Sequence, residues 1–129
     1  MTYKCYAGIG SRETPLDIQL MMKKIASSLE DQGYTLRSGG AKGADKAFES
    51  GVKVLKEIYL PYPGFNGAKE GICISDKQII ENSQIIAKKF HPKWDSLDKY
   101  AKQFHTRNTF QILGPTLNLP VKFVVCWTK

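Results

Sequence analysis

No stretch of the 129 residues is apolar for long enough to cross a bilayer, and no basic segment runs into the short apolar core of a secretory leader. A cytoplasmic protein is therefore expected. Cysteine is sparse: Cys5, Cys73 and Cys126 are an odd number without a CxxC spacing. Two of them fall in predicted strands, where a free thiol behaves as a small hydrophobe, so neither a disulfide framework nor a zinc site is expected, and no cofactor. Repeats, low-complexity tracts and linker-like segments are missing too. With 42% apolar and 24% charged residues, the length suits one domain, residues 1–129, that buries roughly two-thirds of its unfolded surface.

Arginine is the telling scarcity. The formal charge is +7, which favours anionic partners, yet sixteen of the nineteen basic residues are lysines, most of them on predicted helices where a solvated face accounts for them. Only Arg12, Arg37 and Arg107 are arginines, and each lies inside a motif. A planar two-pronged donor matches phosphate or carboxylate geometry.

Periodicity alternates between strand and helix. Tyr3 to Ile9 predicts a first strand, and Thr14 and Pro15 predict an N-cap and first helical position. Ile18, Met21, Met22, Ile25 and Leu29 then recur at helical spacing up to Gly33. Tyr34 to Arg37 is a second strand, and Ala44, Ala47, Phe48, Gly51, Val52 and Leu55 form the stripe of a second helix. Glu57 to Leu60 is a third strand. Helices are predicted over Asp76 to Phe90 and Asp95 to Leu113, the latter with Leu97, Tyr100, Ala101, Phe104, Asn108 and Ile112 facing inward. Lys122 to Trp127 reads as a buried strand. This alternation predicts an α/β, Rossmann-like three-layer domain with a mostly parallel sheet. A buried terminal strand normally has a covering helix after it, so either the sheet is minimal or a partner surface provides the cover.

In such sheets ligands bind beyond the strand C-termini. Two glycine-bearing loops are placed there. Gly10, Ser11 and Arg12 follow the first strand, and Ser38, Gly39, Gly40, Ala41, Lys42 and Gly43 follow the second, where glycines leave room for an anion on the helix start. Tight packing alone also selects glycine at such turns. The dinucleotide fingerprint lacks its third glycine, and Lys42 precedes Gly43 instead of following a glycine into Ser or Thr, so neither a standard NAD site nor a P-loop is indicated. A third motif, Phe104 to Asn108, brings Arg107 and Asn108 as ligand contacts, while His105 reads as a surface or packed residue and His91 as structural. Asp45 is either a helix-start carboxylate or a polar contact to a sugar or base; Asp45 and Glu49 are the candidate acids or bases. Tyr62 and Phe65 either pin their loop or stack a base.

These motifs, in this order, resemble the SMF/DprA and LOG (SLOG) superfamily, most closely the DprA branch and small phage or bacterial proteins related to it. Ala7 to Arg12 is similar to that family's VGSR turn, Arg37 to Asp45 to its SGLARGID-like loop, and Phe104 to Asn108 to its FPxRN segment, with Tyr59 to Pro63 following the third strand. The resemblance implies a Rossmann-like domain that binds a nucleotide-type ligand or the phosphates of single-stranded DNA, often as a homodimer. Two departures stand out. The family's GGT or SGSxxTA turn and final helix do not follow the KFVVCW segment, and the PGGxGTxxE motif that brings the LOG catalytic glutamate is missing.

The leading expectation is a non-enzymatic domain that binds a nucleotide-type ligand or single-stranded nucleic acid through a phosphate cradle. The alternatives are an N-glycosidic hydrolase of nucleotides, and a protein-interaction module such as a phage factor acting on a host protein.

Overall fold

The computed structural model describes residues 4–129, so Tyr3, expected to open the first strand, lies outside the described residues. In chain order the elements are β1 (Cys5–Gly10), α1 (Leu16–Asp31), β2 (Thr35–Ser38), α2 (Ala44–Ser50), β3 (Lys56–Ile58), α3 (Lys77–Phe90), α4 (Lys99–Leu113) and β4 (Phe123–Trp127). The four strands form one all-parallel sheet in the order β3-β2-β1-β4. This is the Rossmann-like α/β arrangement that the alternating pattern predicts. Crossovers take β1 to β2 to β3 with α1 and α2 on one face, and the return from β3 to β4 lays α4 on the other, with α3 against α4. No helix of the described residues is long and apolar enough to cross a membrane.

The main core lies between the sheet and the first helical layer, where Tyr6 and Leu36 meet Met22, Ala26 and Phe48. Strand parity sets the opposite face: Ala7 pairs with Arg37, and Arg37 with Glu57, so these three point towards the α4 layer. Asp76 and Asp98 cap α3 and α4 by accepting the amides of Ile79 and Ala101.

Several local expectations are corrected. Thr14 is not a helix cap: its hydroxyl donates to the Ser11 carbonyl at 2.6 Å, and Pro15 occupies the cap position. Met21 faces solvent, because α1 buries Met22 and Ala26 instead. Helix α2 stops at Ser50, which leaves Val52 and Leu55 beyond it. Glu57 to Leu60 shortens to β3, beyond which Tyr59 donates its amide to the Ser38 carbonyl and forms an isolated bridge to Ile72. Ahead of α4, Trp94–Ser96 is a separate 3-10 turn. Helix α4 is also rotated relative to its expected face: Thr106, Arg107, Thr109, Phe110 and Gln111 are buried, while Tyr100 and Asn108 are exposed, because the surface it covers is the polar β2–α2 loop. Finally, β4 is an edge strand, hydrogen-bonded only to β1, so Val124 and Cys126 are exposed despite their apolar sequence.

One carboxylate organises the approach to β3. Glu30, at the end of α1, accepts the amides of Lys53 (3.0 Å), Val54 (2.9 Å) and Leu55 (2.8 Å). Those bonds, Leu55's foremost, hold the Glu30 carboxyl below the usual carboxylate range. Since the folded-state pKa lies below the unfolded one, this contribution is present above the unfolded pKa and is lost as pH falls through the folded value. Urea midpoints are expected to show Glu30→Gln less stable than the parent at pH 7, with the difference closing under acid.

Candidate functional site

The chain leaves β1 through α1 towards β2 on one side and enters β4, on the other side of β1, from α4; beyond the C-terminal ends of β1 and β4 lies a cleft of about 620 Å³ between the β1–α1 turn, the start of α2 and one face of α4. Its position follows from close packing of the turns around it. Gly10 sits against β4, where an added Cβ would come within 2.6 Å of the Trp127 carbonyl. The Ser11 amide donates to that same carbonyl, and the Ser11 carbonyl accepts from Thr14 and Ala44, so this turn locks β4 to the beginning of α2. The Ser11 hydroxyl accepts the Glu13 amide.

The glycine-rich β2–α2 loop answers mainly to the protein itself. A Cβ on Gly39 would fall 2.2 Å from Gln111 Nε2 and 2.5 Å from Arg107 Nη1, so the missing side chain admits α4. Gly43, at φ +79°, would place its Cβ 2.6 Å from the Ser11 carbonyl and 2.7 Å from that of Arg12. Gly40 packs on Leu60 and Ile58, and its carbonyl accepts from the Asn66 carboxamide. Ser38 is buried and donates to the Gly8 carbonyl. The anion already held by this loop is internal: Asp45, 5% exposed, accepts the Ala41 amide at 3.2 Å.

Two of the three arginines meet in the cleft. The guanidinium carbons of Arg12 and Arg107 lie 5.9 and 5.7 Å from the centroid of the Phe104 ring. Arg12 is exposed, whereas Arg107 is buried and held by the carbonyls of Gly39 and Tyr59 and the Asn108 side chain. Burial lowers the Arg107 pKa and Arg12 adds to that, against the pull of Asp45. Burial likewise raises the Asp45 carboxyl, opposed by Arg107 and the Ala41 amide. Asn108 and Gln111 complete the polar lining, with His105 at the rim.

Arg37 stands elsewhere. Its guanidinium is fully buried on the α4 face of the sheet, with Nε 3.2 Å from Glu57 and Nη1 on the Leu119 carbonyl, so it is a structural ion pair and not a cleft residue. Glu49 pairs with Lys46 and Lys56 beside a separate depression along β3, away from Asp45. Lys42 is exposed and contributes nothing to the cleft lining. Tyr62 and Phe65 stack edge-on, and Phe65 in turn meets Phe104 and Arg107, so this pair braces the wall behind the cleft.

Gln111 was not foreseen. It lies four residues after Arg107, and that helical spacing is the signal that could have placed it on the same face. Phe104, expected to face inward, and His105, expected to be a surface or packed residue, both line the cleft. Among the described residues no three His, Cys, Asp or Glu side chains converge as metal ligands. No protein-family model matches the sequence, and neither the curated proteins nor the solved structures contain a match, so what the cleft does must follow from its own residues.

Proposed function

We propose that the cleft binds a nucleotide-type ligand through its phosphate, as in a SLOG-like, DprA-like binding domain. The observation that carries this is the convergence of Arg12 and Arg107 on one ring, with a single buried carboxyl to offset them. Arg12 adds to the lowering of the Arg107 pKa, so the two charges repel, and a dianionic phosphate between Arg12 and the Ser11 turn relieves the repulsion while gaining charge-assisted hydrogen bonds. Phe104 offers a ring face, and Asn108 and Gln111 offer carboxamides to a sugar or base. The β2–α2 loop has a supporting part: it positions Asp45 and Arg107 and does not wrap the phosphate.

Calorimetric titration with a nucleoside 5′-monophosphate at low salt tests this. Arg12→Ala is expected to weaken binding about 10- to 100-fold, the range for one charge-assisted hydrogen bond. Equal affinity in the variant would rule the reading out. A parallel series with a single-stranded oligonucleotide separates the two ligand classes, since a bound strand makes log affinity fall steeply with log salt.

Asp45 favours a second reading, N-glycosidic hydrolysis, because a buried carboxyl of raised pKa beside a ligand cleft is placed to exchange a proton. Chromatography of nucleotide panels after incubation decides it. Base release that disappears in Asp45→Asn would make the protein an enzyme; intact nucleotides, still bound, leave it a binding domain.

A further inference from the structure

Behind Arg107, on the side away from the cleft, lies a second cavity of about 340 Å³, bounded by α3, α4 and residues 59–63. We propose that it is a binding site for a planar, uncharged nitrogen heterocycle of the nucleobase type, whose edge is read by the carboxamides of Gln103 and Gln84. The proposal stands on this slot alone and goes beyond the phosphate reading of the cleft.

The first observation is a sealed acceptor. Gln103, on α4, is half-buried and lines the slot; its side-chain carbonyl oxygen has no hydrogen-bond partner among the described residues and faces away from water, so the carboxamide turns about its last side-chain torsion to offer that oxygen to an occupant of the slot. Leaving such a group unsatisfied costs about 1–3 kcal/mol, and native proteins rarely retain one without a use for it. Gln84, on α3, lines the same slot from the other helix. A carboxamide carries a donor beside an acceptor, which is the complement of an amino group beside a ring nitrogen.

The walls are flat and neutral. Tyr62, Pro61, Pro63 and Phe110 supply rigid ring surfaces, and Ile80 closes the apolar side. Cys73, an exposed thiol, stands at the edge of the slot. Arg107 is the only charged side chain in the lining, and its Nη1 is committed to the carbonyls of Gly39 and Tyr59. A site built this way offers carboxamides to a heterocycle's edge, and among the described residues that line it no lysine and no second arginine is present. Its volume lies in the range of about 300–1,000 Å³ usual for small-ligand pockets.

The test is a titration of the 15N-labelled full chain with adenosine, cytidine and uridine, following the side-chain NH2 resonances of Gln103 and Gln84. The expected result is saturable shifts of both resonances with at least one amino-bearing nucleoside, unchanged in Arg12→Ala, which disables the cleft alone. Gln103→Leu is expected to stay folded, to melt at a higher temperature because a sealed acceptor has been removed, and to bind the nucleoside about tenfold more weakly or not at all. Absence of any saturable shift at millimolar nucleoside would overturn the proposal. So would a lower melting temperature for Gln103→Leu with nucleoside binding intact, since an ordered water would then be the oxygen's partner.

Discussion

Glu57→Leu is expected to destabilise the protein by about 3–5 kcal/mol, read as a shift in the urea midpoint, because it removes the carboxylate paired with a buried guanidinium. Arg37 has no solvent exposure, and Glu57 accepts both its Nε and the Tyr59 hydroxyl, the latter at 2.6 Å. With domain stabilities of about 5–15 kcal/mol, such a loss brings the variant close to unfolding at room temperature. Arg37→Met is expected to cost less, since it leaves behind a carboxylate that retains some solvent contact. The double variant Arg37→Met with Glu57→Leu is expected to recover most of the loss, because the buried guanidinium is then gone as well. Ligand affinity of the folded Arg37 variant should match the parent, as befits a residue outside the cleft. An altered affinity with unaltered stability would place Arg37 at the site after all.

Gly51→Ala is expected to have the other large effect, of about 1–3 kcal/mol or more. The backbone at Gly51 is right-handed, φ −90°, so no conformational penalty enters. The cost is purely steric: an added Cβ would lie 2.2 Å from the Lys23 carbonyl oxygen in the middle of α1, and a helix backbone cannot rotate aside as a side chain can. Helices α1 and α2 would have to separate. Gly33 offers the contrast. It adopts φ +86° with nothing within 4 Å of a Cβ, so Gly33→Ala should lose only about 1–2 kcal/mol through its left-handed backbone. Thermal melts of the pair distinguish crowding from backbone strain.

The fold was legible because its signal is local and repeated. Strand-like runs alternate with helical stripes from Cys5 to Ile58, two helices then precede the last strand, and that order admits few topologies. Positions set by pairing or packing partners were not legible in the same way. Arg37 sits next to the cleft loop in sequence, yet its direction follows strand parity and its partner Glu57 follows the β2–β3 register, neither of which short-range pattern encodes. The KFVVCW segment is apolar on both faces and so reads as buried, whereas its edge position is a property of the sheet. Gly39 and Gly43 are expected from the sequence to leave room for an anion, with tight packing as the alternative. What approaches them is Arg107 with Gln111, and the β1–α1 turn. The inward face of α4 is not marked by its apolar residues, because this helix buries Arg107 and Gln111 against backbone carbonyls and a carboxylate.

The most direct measurement is a crystal structure of the protein grown with saturating nucleoside 5′-monophosphate. The account predicts the phosphate about 3 Å from the Arg12 guanidinium, on the Phe104 side of the β1–α1 turn. A phosphate bound elsewhere, or a cleft left empty at saturation, would contradict it.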